Sequence, residues 1–160
     1  RSSDLTTKVP LEIKGVFVDK PTDCPQIRAL ETRSGTFAPS CENGYTKGFY
    51  QEVSFLDGVS EMTFYQNDAR VLVNINVQRF NYDKALTSLT SKFGAPKTTN
   101  EQIQNRMGAQ FMKTSSIWTN NGQTLLLMNH CAKLDNPCLS LSGREFKKSI
   151  EKANAPSGNL

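Results

Sequence analysis

The chain has 160 residues, 37% of them hydrophobic and 21% charged, with a formal net charge of +4. That length lets one domain bury a core of its own, and the positive charge is too mild and too scattered for a nucleic-acid binder, which shows a dense basic stripe or a reading motif. No apolar run approaches the ~20 residues that cross a bilayer, and no signal peptide is visible, although a chain that opens on Arg1 rather than Met leaves export open.

Taken in chain order, residues 1–9 read as a flexible lead-in. Residues 11–18, LEIKGVFV, are strand-like, with a bulge expected at Gly15. Residues 20–30, KPTDCPQIRAL, read as a turn and a short helix, with Thr22 or Asp23 as cap and Pro25 in the first turn. Residues 49–78 carry turn signals at Asp57-Gly58 and, more weakly, at Asn67-Asp68. Folding the chain about both turns sets Val53 opposite Met62 and Phe64 opposite Val71. One face then collects Val53, Phe55, Met62, Phe64, Val71, Val73, Ile75 and Val77, and the other collects Glu52, Ser54, Glu61, Thr63, Asn74, Asn76 and Gln78. Period-2 alternation carried through two turns predicts a three-stranded antiparallel meander with one face in the core.

A helix follows in NYDKALTSLTSKFG. Asn81 is its cap, Tyr82, Ala85, Leu86, Leu89 and Phe93 recur at helical spacing, and Gly94 with Pro96 stops it. Met62, Phe64, Val71, Val73 and Leu89 are expected to be buried together. Residues 97–110 are polar and read as a loop. The pattern then restarts with strands at 111–119, 123–130 and 138–141, followed by a helix over 142–153 that opens on a Ser142/Glu145 capping box. The fold class expected is α+β, an antiparallel sheet covered on one face by helices, with an element order that suggests two strand-strand-strand-helix units in tandem. Residues 10–153 make a single domain between flexible termini at 1–9 and 154–160.

Four cysteines stand at 24, 41, 131 and 138. An even count fits two disulfides, and four cysteines allow three pairings. The alternatives are free thiols and a metal site. A C-x-x-C pair is absent and His130 is the single histidine, which argues against structural zinc and against a thioredoxin-type redox site. Between two strand-like runs, LDNP is a tight-turn sequence, so a Cys131–Cys138 bridge across a hairpin is favoured, with Cys24–Cys41 as the second. A crossed pairing such as Cys24–Cys138 would instead place the N-terminal helix against the last strand. Disulfides imply an oxidising compartment, periplasmic or secreted.

No catalytic residues, cofactor site or metal site emerge. His130 and Cys131 are adjacent and would point to opposite faces of a strand. Glu52 and Glu61 fall about one diagonal apart, a carboxylate pair that any two-sided sheet can show. Nucleotide-loop and hydrolase motifs are missing. The outward face of the meander is more informative. There Tyr50 and Tyr65 fall opposite each other, Arg70 falls opposite Tyr65, and Leu72 joins them, while Trp118 stands on a strand of ambiguous facing. Tyr and Arg are enriched where proteins bind proteins, but cross-strand aromatics also pair for the sheet's own sake, and a lone Trp is more often core.

The segments DGVSEMTFYQ, YDKALTSLTSKFGAPK and WTNNGQTLLL resemble a pattern of small exported bacterial proteins and lipoproteins, in which strands feed a helix ending in K-[FY]-G-x-P and a Trp-bearing strand follows. The order of sheet and helix also resembles the outer-membrane assembly lipoproteins and the proteinaceous β-lactamase inhibitors. This resemblance covers about half of the chain and implies a periplasmic or secreted bacterial protein. It maps no functional residue onto this sequence. The function expected is therefore binding to another protein, as an inhibitor or neutraliser of an enzyme or toxin, without catalysis. An envelope assembly or structural accessory role is the alternative, and a small hydrolase built on Glu52 and Glu61 comes last.

Overall fold

The structure, a computed structural model, describes residues 7–21, 48–56, 58–67, 69, 71–131 and 136–144, and for residues 48–54 it describes the backbone alone. Among the described residues seven strands run in chain order: β1 (Gly48–Phe55), β2 (Gly58–Gln66), β3 (Leu72–Gln78), β4 (Lys97–Gln104), β5 (Gln110–Asn120), β6 (Gln123–Met128) and β7 (Cys138–Ser142). A helix, α1 (Tyr82–Phe93), connects β3 to β4. Every neighbouring pair is antiparallel and the sheet order is β1-β2-β3-β7-β6-β5-β4. The fold is α+β. Two meanders meet where β3 pairs with β7.

One face of this sheet is apolar because alternate residues of each inner strand are. Met62 and Phe64 of β2 lie in register with Val77 and Ile75 of β3, these with Leu139 and Leu141 of β7, and these with Leu127 and Leu125 of β6. All eight are fully buried. Ala85, Leu89 and Phe93 of α1 close over the same core. Spacings of four along the helix put them on one stripe. The Asn81 side chain accepts from the Lys84 N–H at 2.9 Å, satisfying one of the orphan donors of the first turn. Asn81→Ala should cost about 1 kcal/mol, and a loss under about 0.3 kcal/mol in urea unfolding would show that the cap carries no weight.

At its other end α1 is pinned to the sheet. Gly94 takes φ 93°, a left-handed conformation that glycine adopts without a Cβ penalty. Its N–H returns to the Thr90 carbonyl at 2.8 Å, and its own carbonyl accepts the indole N–H of Trp118 at 2.8 Å. Trp118 lies on the core face of β5 and is 1% exposed. The pairing of a glycine-capped helix with a Trp-bearing strand is thus a physical contact, which resolves the ambiguous facing of Trp118 in favour of the core.

The structure corrects several expectations. The β1–β2 ladder closes Phe55 on Gly58, with Leu56 at φ 53°, so Val53 faces Ser60 rather than Met62. The turn sits one residue early, which slides the register by two and leaves each residue on its face. The β2–β3 connection is longer than a two-residue turn. Asn67 accepts the N–H groups of Ala69 and Val71 through its side chain and donates its own N–H to the Val71 carbonyl. A β-bulge then gives β3 an extra residue, with Gln66 opposite Leu72 and Tyr65 opposite Asn74. The bulge reverses the facing of Leu72, which is 1% exposed in the core instead of outward. Met62, Phe64 and Leu89 do share the core. Val71 is half-buried, and Val73 is buried outside the main cluster.

Residues 97–110 are not a loop. They form β4 and a tight turn, and β4 reads as polar because seven of its eight residues are exposed at the sheet edge. Nor is 11–18 a strand. Ile13 and Val16 close a turn over Lys14 and Gly15, and Leu11, Ile13, Val16 and Val18 enter the core beside α1. This segment is tied down by Glu12, which pairs with Lys92 of α1, and by Asp19. The Asp19 carboxylate accepts from Gln123 Nε2 at 3.0 Å and from the Arg144 N–H at 3.1 Å. It lies so close to Gly143 that any Cβ there would collide with it. The expected helices at 20–30 and 142–153 and the flexible termini fall wholly or largely outside the described residues, as do Cys24, Cys41 and Arg70.

Candidate functional site: the outward face of the sheet

The sheet face turned away from α1 is assembled from the polar alternation of the same strands. Three rows cross it. Tyr65, Asn74, Ser142, Thr124 and Thr119 form one. Thr63, Asn76, Ser140, Leu126 and Ile117 form the next. Glu61, Gln78, Cys138, Met128 and Ser115 form the last. The centre of the face is a hydrogen-bonded amide–hydroxyl patch. Asn74, 1% exposed, donates through Nδ2 to Ser140 Oγ, Ser142 Oγ and the Leu141 carbonyl at 3.0–3.2 Å, and its Oδ1 accepts from Asn76 Nδ2 at 2.6 Å. A buried amide with both ends satisfied is a rigid anchor, so the neighbouring Asn76 amide is held in one orientation.

Beside this patch the face deepens into an open concavity of about 590 Å³. Its described lining is Asn76, Gln78, Lys113, Met128, Cys131, Asn136, Pro137 and Cys138. The far wall is the Cys131–Cys138 disulfide, which bridges Cα atoms 6.1 Å apart over a sequence separation of seven. The bridge differs in one detail from the expected cross-strand staple. β6 ends at Met128, which takes the register position opposite Cys138, so Cys131 lies three residues beyond the strand and the bridge closes the connection itself. The Cys131 N–H donates to the Asn136 carbonyl at 3.0 Å, which draws the two ends of that connection together.

Replacing both cysteines with Ser should lower the unfolding free energy by about 2–3 kcal/mol, the loop-closure value for a span this short. A non-reducing peptide map should show Cys131 linked to Cys138, and a free Cys131 would contradict the structure.

Next to the concavity β4 and β5 run on past the end of β6 as a two-stranded arm. Such a hairpin is marginal alone, and Asn129 braces its base. The Asn129 side chain accepts the Thr114 N–H at 2.8 Å and donates to the Met112 carbonyl at 3.0 Å. At the tip, the Asn105 side chain accepts from the Met107 and Ala109 N–H groups, and Met107 is 90% exposed.

Across the patch and the described lining of the concavity, amides, hydroxyls and the Lys113 ammonium offer hydrogen-bond donors and acceptors, while both sulfurs at the wall are oxidised and hold no nucleophilic thiolate. Glu61 is committed to Arg79 at 2.7 Å. Its register partner is Glu52, directly opposite rather than diagonal. His130 stands half-buried with its ring 5.5 Å from that of Phe111. Among the described residues no three His, Cys, Asp or Glu side chains cluster as metal ligands, and no helix is long and apolar enough to cross a membrane.

Of the residues singled out from sequence, Tyr65 is 38% exposed on the outward face. Tyr50 takes the register position opposite Thr63, diagonal to Tyr65 rather than facing it. Leu72 and Trp118 are buried and take no part in the surface. Asn76, Gln78, Lys113 and Asn136 were not legible as site residues, because they meet only through the β3–β7 pairing, between residues sixty or more positions apart, together with the β7–β6–β5 ladders. Comparison of the chain with protein-family models, with curated proteins and with solved structures found no match.

Proposed function

We propose that this chain is an exported binding protein, periplasmic or secreted, that engages another protein through the outward face of its sheet and acts by occupying that partner's surface, as an inhibitor or neutraliser. The observation that carries this reading is the inequality of the two sheet faces. One is filled by α1 and the N-terminal segment. The other presents Tyr65, a pinned amide–hydroxyl patch and a 590 Å³ concavity whose described lining has no acid–base pair and no nucleophile. Rigid polar groups around an aromatic anchor match the composition of protein interfaces. Export is supported by the Cys131–Cys138 bridge, since structural disulfides persist in oxidising compartments.

The second reading, an envelope assembly or structural accessory protein made of two strand-strand-strand-helix units in tandem, is favoured by the regular, exposed edge of β4. The test uses immobilised protein and exported proteins of the source. A partner retained by the wild type should lose affinity about tenfold or more with Tyr50→Ala/Tyr65→Ala, while the circular dichroism and melting curve show the variant folded at the assay temperature. A partner bound equally well by wild type and variant would place the interface elsewhere.

A further inference from the structure

β4 ends the sheet, and among the described residues nothing pairs with its outer edge. Natural proteins blunt such edges with charged side chains, prolines, bulges or short strands, because open backbone groups template pairing. β4 carries two charges of opposite sign, Lys97 and Glu101, which can pair as well as repel, and Pro96 stands just before it, but neither a bulge nor shortness protects it. It runs eight residues, its ladder with β5 is uninterrupted from Lys97↔Ile117 to Gln104↔Gln110, and no proline stands within it.

The hydrogen bonds at Asn129 reveal which backbone groups the edge presents. Asn129 receives the Thr114 N–H on its side chain, gives its own N–H to the Thr114 carbonyl at 3.3 Å and its amide to the Met112 carbonyl. Met112 and Thr114 therefore turn their peptide groups to the β6 side. Successive residues of an antiparallel strand alternate in this respect, so Lys113 and Ser115 turn theirs to β4, and their partners Glu101 and Thr99 turn back to meet them. The Asn105 N–H, donated to the Ala109 carbonyl at 3.0 Å, fits the same phase. The outer edge thus carries the N–H and C=O groups of Thr98, Asn100, Gln102 and Gln104.

A second copy of β4, laid antiparallel on this edge, must match those positions to each other. The registers that do so near the strand's middle are centred on Thr99, Asn100, Glu101 or Gln102. Centring on Gln102 sets Glu101 against Ile103 and carries Lys97 beyond the partner strand, so the charges do not meet. Centring on Glu101 sets that carboxylate against its own copy, which is repulsive. Centring on Asn100 sets Lys97 against Ile103 and leaves the charges without partners across the seam. Centring on Thr99 sets Lys97 opposite Glu101 twice, by symmetry, and lets Thr98 and Asn100 exchange backbone hydrogen bonds on both sides of the axis. Glu101 then lies between Lys97 of the second copy and Lys113, its register partner on its own sheet. Pro96 falls opposite Gln102 at the end of the ladder, where its missing N–H forfeits one bond.

We infer that β4 is a homodimerisation edge, on which two copies of this chain join their sheets antiparallel about a twofold axis at Thr99, in the register set by the Lys97–Glu101 pairs. The contact is isologous and leaves the outward face uncovered, so it stands independently of the binding function proposed above.

Sedimentation equilibrium on the full chain should show a reversible monomer–dimer equilibrium. Glu101→Lys should weaken it about tenfold or more, by turning two attractive cross-strand pairs into repulsive ones. The swap Lys97→Glu/Glu101→Lys, combined with Lys113→Glu so that position 101 keeps an opposite charge within its own sheet, should restore it, because the same pairs re-form with reversed sign. Thr99→Cys, on the axis, should give a covalent dimer on mild oxidation, whereas Ile103→Cys should not. A monomer at every concentration overturns the inference, as does a dimer that is indifferent to Glu101→Lys or that Thr99→Cys fails to cross-link.

Discussion

Replacing Phe64 with Ala should lower the unfolding free energy by about 3–5 kcal/mol. Phe64 is 0% exposed and sits in the middle of β2, in register with Phe49 of β1 and Ile75 of β3. Its ring lies in the cluster that joins both meanders to α1. Removing it loses the transfer free energy of the ring and leaves a void that two hydrogen-bonded ladders prevent from collapsing. Domains of this size are stable by only ~5–15 kcal/mol, so the variant should unfold at far lower urea while its m-value is kept. A loss below about 1 kcal/mol would mean that Phe64 is not in this core.

Trp118 should rival it, for two separable reasons. Trp118→Ala empties the largest fully buried side chain and should cost about 3–5 kcal/mol. Trp118→Phe keeps much of the volume but leaves the Gly94 carbonyl without its indole donor, which should cost about 1–3 kcal/mol. If the bond to Gly94 pins the end of α1, the Phe variant should also raise hydrogen exchange over the last turn of the helix, at Thr90 to Phe93, more than over its first turn. Equal loss along the helix would assign the effect to packing alone. As the single tryptophan, Trp118 also reports on wild-type unfolding through the red shift of its emission.

The sequence exposed what depends on local period. Alternation identified β1, β2 and β3 and assigned the facing of Met62, Phe64, Ile75 and Val77, and these assignments survived two misplaced turns. A turn moved by one residue slides the ladder by two and preserves every face. Facing failed at Leu72, where one bulge residue reverses parity and no local signal announces it. α1 was legible from Asn81 to Gly94 because both caps are side-chain or glycine chemistry written in the sequence.

β4 was not legible. At an edge with both faces in water nothing selects apolar residues, so KTTNEQIQ looks like a loop and becomes a strand only because β5 offers it a partner. The N-terminal segment was misread for the opposite reason. Its apolar residues plug the core through a turn at Lys14-Gly15 and hydrogen bonds from Asp19, contacts made with residues some fifty to a hundred and twenty-five positions away. The Cys131–Cys138 bridge was readable because its partners are close in sequence. The concavity it walls was not, since its described lining comes from four strands, β3, β5, β6 and β7, that meet only in the folded sheet.

The claim that the outward face is the binding surface is tested most directly by a two-dimensional NMR titration of isotope-labelled protein with its bound partner. The amides of Thr63, Tyr65, Asn76, Gln78 and Ser140 and the side-chain amides of Asn76 and Gln78 should shift or broaden, while those of Ala85, Leu89 and Lys92 on α1 stay in place. Perturbations confined to α1 and to the N-terminal turn at Lys14-Gly15, with the outward face silent, would contradict it.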